Sequence, residues 1–273
     1  APGQSRERDF SWLNNAFATD VSVDGKTLVV LDVDPASTEG LSVYLRKTDG
    51  SPAVRLGEAH SMLAALSPDE KWVAVIRQKP ALAIVLLPTR AGVPQTLAND
   101  QVASYYSVSW FADGKRILFT GADRTGVPRL YAWDLAAGKA VPIAPEAAGV
   151  VGCCVSPDGR FVAAVGPDQQ IQLYPVDGGA ARRVPGAAPG DLPIRWSPDS
   201  RALYATRSDE LPKKIYRVDL AGGRRESWKE LPLADPAGVG SGYAWLSLTP
   251  DGRSYFYSFG RLLSELYLVE GLQ

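Results

Sequence analysis

The tetrapeptide Ser-Pro-Asp-Gly, followed by a basic residue and an apolar run, returns in variant form along the whole chain, and nothing else constrains the fold as strongly. The copies are SVDGK ending at Lys26, SPDEK at Lys71, FADGK at Lys115, SPDGR at Arg160, SPDSR at Arg201 and TPDGR at Arg253. Their aspartates are Asp24, Asp69, Asp113, Asp158, Asp199 and Asp251. The steps between them are 45, 44, 45, 41 and 52 residues, so six copies use up all 273 residues. A fixed period of this length marks an array of one supersecondary unit that buries its faces against its neighbours.

Each copy has the same internal plan. Three residues before the aspartate stands a large apolar residue: Val21, Leu66, Trp110, Val155, Trp196 or Leu248. The fourth and fifth residues after it are apolar, as in Leu28-Val29, Val73-Ala74 and Ile117-Leu118. A strand apolar on both faces is buried on both faces. A third strand follows with pairs such as Val43-Tyr44, Leu130-Tyr131 and Ile215-Tyr216, then a Gly-rich turn and a short fourth strand. The tetrapeptide is therefore read as the hairpin turn between the first and second strands. Pro presets its own backbone, Asp accepts local N–H bonds, and Gly takes the left-handed position. Glu70 and Ser200 stand where Gly would, and each is expected to cost about 1 kcal/mol if the left-handed geometry is kept. Six aspartates on six separate turns cannot meet, so they are turn chemistry rather than a metal or acid–base array.

Four antiparallel strands repeated at this period predict an all-β, six-bladed β-propeller of four-stranded blades, one domain over residues 1–273. The last copy ends soon after its third strand. The N-terminal segment 5–13 is expected to fill the gap, closing the ring by pairing with Glu265–Val269 and removing two bare sheet edges. Phe10 and Trp12 then share one strand face, and Trp12 is expected to be largely buried.

The strings "SPDGR" and "LY" before a Gly-rich turn resemble TolB-like, PD40-type propeller repeats of bacteria. Longer strings, among them RERDFSWL, VYLRKTDGSPAVRLGE, WFADGKRILF and ELPKKIYRVDLAGGRRE, resemble the C-terminal propeller of bacterial receptor-like serine/threonine protein kinases. That resemblance covers the whole chain. It implies a sensor or docking module and, if the kinase is membrane-bound, an extracytoplasmic or periplasmic position. No Gly-rich phosphate loop, HRD or DFG is present, so the kinase part of that family is absent here. The start, APGQSRERDF, reads as a cut from a longer chain or a mature terminus.

Composition narrows the function classes. A net charge of −1 gives no footprint for nucleic acid. The longest apolar run, Ala81 to Leu87, is far short of the ~20 residues that span a bilayer, so no membrane insertion is expected. One histidine, His60, is too few for an ordinary zinc site or a hydrolytic triad. The adjacent Cys153 and Cys154 are expected as free thiols, because a bond between neighbours needs a strained eight-membered ring. GVGSG at 238–242 reads as a flexible loop rather than a phosphate cradle. No catalytic residue, metal or cofactor is expected, and the chain is expected to be a monomer.

Propellers bind on the face that carries the connections between blades. His60, Tyr105, Tyr106, Arg195, Tyr243 and Trp245 start blades there and are the candidate ligand residues at the channel mouth. Aromatics with mixed charge suit an unidentified protein, peptide or small-molecule ligand. The competing readings are a propeller enzyme of lactonase or lyase type, and the propeller domain of a serine peptidase.

Overall fold

The computed structural model describes residues 8–13, 15–33, 40–144, 152–231 and 239–261, with backbone alone at 239–244 and 261. Every regular element among them is a β-strand. The first sheet is β1 (Ala16–Val21), β2 (Thr27–Asp32), β3 (Leu41–Lys47) and β4 (Val54–Ala59). The second is β5 (Ala64–Leu66), β6 (Trp72–Arg77), β7 (Ala83–Pro88) and β8 (Gln95–Leu97). The third is β9 (Ser104–Trp110), β10 (Arg116–Ala122), β11 (Pro128–Asp134) and β12 (Lys139–Pro142). The fourth is β13 (Cys153–Val155), β14 (Phe161–Val165), β15 (Ile171–Pro175) and β16 (Arg182–Arg183). The fifth is β17 (Asp191–Trp196), β18 (Ala202–Arg207), β19 (Lys213–Asp219) and β20 (Arg225–Leu231). A two-stranded sheet, β21 (Val239–Leu248) and β22 (Tyr255–Arg261), ends the described chain.

The fold is an all-β propeller of four-stranded antiparallel blades. Five blades are four-stranded, which corrects the expected six: the sixth copy contributes two strands among the described residues. Its third strand was expected at Leu266-Tyr267, outside those residues. GVGSG is corrected as well, since the backbone enters β21 from Val239.

The second strands carry the core, as their sequence requires. Val29, Val73, Ala74, Ile117, Leu118, Val162, Ala163 and Leu203 are all fully buried. They feed apolar clusters that lie between blades, such as the one joining Ile76 and Leu86 of the second to Phe119 and Trp133 of the third. Two indoles add a polar pin at these seams. Trp110 Nε1 donates to the Ala65 carbonyl at 3.0 Å, and Trp196 Nε1 to the Cys154 carbonyl at 3.0 Å. Donor and acceptor hold the same repeat positions in both cases, so the pin is built into the repeat.

The turns match their chemistry. Ser22, Ser67, Ser156, Ser197 and Thr249 each donate a hydroxyl hydrogen bond to the aspartate two residues on, at 2.5–2.7 Å. That bond is the main reason the carboxyls of Asp24, Asp199 and Asp251 titrate below their ordinary value. Glu70 and Ser200 do adopt the left-handed conformation, with φ of 56° and 57°. Glu70 has side-chain compensation, because its Oε2 accepts from Thr27 Oγ1 at 2.8 Å. Ser200→Gly is therefore the cleaner test, and chemical denaturation should show a gain of about 1 kcal/mol. A loss would mean that the serine side chain makes a stabilising contact in that turn.

The N-terminal segment departs from expectation. Its proposed partner Glu265–Val269, and residues 5–7, lie outside the described residues. Residues 8–13 form no strand. They lie against the first blade instead: Arg8 donates to the Thr48 carbonyl, and Trp12 meets Tyr44 edge-on at 4.9 Å. Arg46 stacks over Trp12 at 5.2 Å. Those two neighbours leave Trp12 39% exposed, which corrects the expectation that it is largely buried. Phe10 packs against the first-blade cluster of Val21, Leu28 and Val30, which Phe256 of β22 also meets.

Candidate functional site

First strands stand innermost. Each touches the next along the chain, and β21 touches both β17 and β1. Phe17 of β1 stacks on Trp245 of β21 at 4.8 Å, and Ala18 N donates to Ser258 Oγ at 3.3 Å. The six strands surround a channel of about 670 Å³. Two repeat positions line it in every copy. Six residues before the turn aspartate stand Ala18, Leu63, Ser107, Gly152, Pro193 and Trp245. Four before it stand Asp20, Ala65, Ser109, Cys154, Arg195 and Ser247. Turn residues Val23, Pro68, Ala112, Pro157 and Pro250 form an apolar rim at one end.

The charged members of the second ring face each other. A one-residue bulge falls in both strands at the residue just before, Thr19 in β1 and Ile194 in β17, bending them where Asp20 and Arg195 leave. Asp20 Oδ1 accepts from Val21 N at 2.8 Å, and Oδ2 from Leu66 N of the next blade at 2.8 Å. Arg195 Nη2 lies 3.5 Å from Asp20 Oδ1. The pair joins the first blade to the fifth, on either side of β21. Burial pushes the Asp20 carboxyl up, against the pull of Arg195 and the two amides.

Arg207, Lys213 and Ser107 of the wall are already engaged. Arg207 forms a two-pronged pair with Asp209, at 3.0 and 2.9 Å, and donates to the Pro189 carbonyl at 2.8 Å. Lys213 Nζ donates to the carbonyls of Arg207 and Ser208 at 2.6 and 2.8 Å, and burial lowers its pKa. Ser107 Oγ shares a hydrogen bond with Thr120 Oγ1 at 2.7 Å and lies 3.3 Å from Cys153 Sγ. Both cysteines are free, and burial raises both thiols. Their side chains join different clusters, Cys153 on the third-blade side and Cys154 on the fifth-blade side. Among the described residues no three His, Cys, Asp or Glu side chains gather as a metal site requires.

Of the six candidate residues, Arg195 and Trp245 line the channel. His60 does not: its N donates to the Ile76 carbonyl at 2.7 Å, and both ring nitrogens are buried without partners among the described residues. Tyr105 is buried at the seam of the second and third blades, beside Phe119 at 5.2 Å, and burial pushes its hydroxyl up to about 12. Tyr106 is the bulged residue of β9, half-buried away from the channel. The Tyr243 side chain lies outside the described residues. Asp20 was not anticipated. Aligning the copies on the turn aspartate reveals it, since the position three before is always large and apolar while the position four before varies in charge.

No family model matches the chain, and no curated protein matches it. Solved structures do. The putative TolB of Agrobacterium tumefaciens aligns with a TM-score of 0.66 at 23% identity, over 90% of each chain. The fold is that of a TolB-like β-propeller. TolB of Acinetobacter baumannii aligns with a TM-score of 0.64 at 18% identity, over 86% of this chain, which spans 64% of that protein's length. The same propeller is similar to an oligogalacturonate lyase of Vibrio parahaemolyticus, with a TM-score of 0.60 at 17% identity over 88% of this chain and 69% of that one. At these identities the TolB-like likeness is one of fold.

Proposed function

We propose that this chain is a non-enzymatic binding module that takes a protein, peptide or small-molecule ligand in its central channel. The observation that carries this is the channel itself: about 670 Å³, an apolar wall with a few polar groups converging on one level, a size and character usual for ligand sites. The likeness to TolB structures supports a binding role. The oligogalacturonate lyase fold is what favours the second reading, a propeller enzyme, and no His, Cys, Asp or Glu cluster among the described residues supports it. The resemblance to receptor-like kinase propellers supports a place as the sensor part of such a kinase, outside the cytoplasm. We further propose that β21 and β22 begin a sixth blade, completed by the C-terminal residues. The packing of Phe256 of β22 against the first-blade cluster of Val21, Leu28 and Val30 supports that.

The test is a crystal of the full chain soaked with a set of di- and tripeptides. Peptides are expected in the channel against Trp245, and Trp245→Ala should weaken their binding at least about tenfold, the scale of a lost aromatic anchor. Peptides bound only on the outer surface would sink the reading.

A further inference from the structure

Among the described residues four charged side chains line the channel, and three of them are spent. Asp20 holds two backbone amides, Arg207 holds the Asp209 carboxylate, and Lys213 caps two carbonyls. Arg195 is the exception. Its Nε is buried with no hydrogen-bond partner among the described residues. Its one ionic contact among the described residues, to Asp20, is long at 3.5 Å, beyond good hydrogen-bond length for a charged pair. A guanidinium offers five donors in a planar fork that matches a carboxylate. Leaving the buried Nε unfilled is costly, and the side chain, 27% exposed, still faces the channel, so the geometry favours an incoming acceptor.

The surroundings set what that acceptor is attached to. On the same ring, Ser109 and Ser247 bring hydroxyls, and Ala65 leaves room. Trp245 and Leu63 stand in the neighbouring ring and offer apolar surface. Asp20 remains nearby as an acid, which disfavours a doubly charged group such as phosphate and suits a single negative charge.

We propose that Arg195 is the anion-binding group of the channel, and that the ligand is an apolar or aromatic body bearing one carboxylate, which competes with Asp20 for the guanidinium. This rests on the reading of the channel as a ligand site. The ligand would displace Asp20 from its long contact without disturbing the two amides that hold it.

The experiment uses the full chain and a matched pair, N-acetyl-phenylalanine and N-acetyl-phenylalaninamide, with inorganic phosphate as a third probe. Binding is followed by the NMR signal of the Trp245 indole, assigned with Trp245→Phe. The acid should bind at least about tenfold more tightly than the amide, the scale of a charge-assisted pair of hydrogen bonds. R195Q should bring the two within about twofold of each other, chiefly by weakening the acid. R195K, which keeps the charge but loses the fork, should retain part of the preference and serves if R195Q does not fold. D20N should tighten the acid several-fold, because its amide oxygen still accepts from Leu66 N while the competing charge is gone. Equal binding of acid and amide by the unaltered chain overturns this inference and leaves the channel reading standing. Tighter binding of phosphate than of the acid overturns the choice of a carboxylate. If neither organic probe moves the Trp245 signal, the channel reading falls with it.

Discussion

Phe119→Ala is expected to cost the fold about 3–5 kcal/mol in equilibrium denaturation. Phe119 is fully buried in β10. Its ring stacks on Tyr131 at 4.9 Å with 7° between planes, and meets Tyr105 at 5.2 Å. All three belong to the cluster that joins the second and third blades, so truncation opens a void at a seam rather than inside one sheet. A propeller has little means of closing such a void. The neighbouring strands are tied by ladder hydrogen bonds, Phe119 opposite Tyr131 on one side and Val108 on the other. Each aromatic contact adds about 0.5–1.5 kcal/mol beyond burial, which places this site toward the top of the range. Phe119→Leu keeps most of the volume and should cost less than half as much. A loss below about 1 kcal/mol for the alanine variant would show that the seam collapses and that the blades are not rigidly registered.

How much of this was legible in the sequence depended on whether a feature is set by local chemistry or by register. The turns are local. Their hydroxyl and carboxylate partners, the left-handed Glu70 and Ser200, and the two-sided burial of the second strands all follow from residue types at fixed offsets. The site depends on register. Thr19, Tyr106 and Ile194 are ordinary strand residues, yet each is a bulge, and one inserted residue changes which side the following residues take. Tyr105 and Trp245 are alike in chemistry and both start a blade. One ends in an inter-blade core and the other on the channel wall. Asp20 escaped notice for the same reason: a polar residue next to an apolar one reads as solvent-facing in a strand, and in an innermost strand that direction is the channel. The N-terminal segment was misread because its aromatics suggested a buried strand. Tyr44 and Arg46 of the first blade cover only part of Trp12, and the described residues 8–13 make no ladder.

Arg225→Met should be about as costly as the loss of Phe119, for an electrostatic reason. Asp191, at the start of β17, is fully buried. Its carboxylate is held by Arg225 of β20, through Nη2 at 3.0 Å and Nε at 3.2 Å, and by Ala188 N at 2.9 Å. Arg225 also lies over the Tyr216 ring at 3.4 Å, and the Tyr216 hydroxyl meets the Glu210 carboxylate at 2.8 and 2.9 Å. The arginine thus ties the innermost and outermost strands of the fifth blade, passing over the third. Methionine fills similar volume but leaves a buried carboxylate without its paired cation, and removal of one partner from such a pair costs about 3–5 kcal/mol. The penalty belongs to the stranded charge and not to the pair as such, because replacing both ions by neutral groups is often nearly free. The second arm of the experiment is therefore Asp191→Asn combined with Arg225→Met. The asparagine oxygen still accepts from Ala188 N, so only the cation–π contact and the arginine hydrogen bonds are lost. The double variant should recover most of the stability, remaining within about 1–2 kcal/mol of the unaltered chain. If it unfolds as readily as Arg225→Met alone, the arginine works through its packing on Tyr216, and the buried carboxylate is not what makes it necessary.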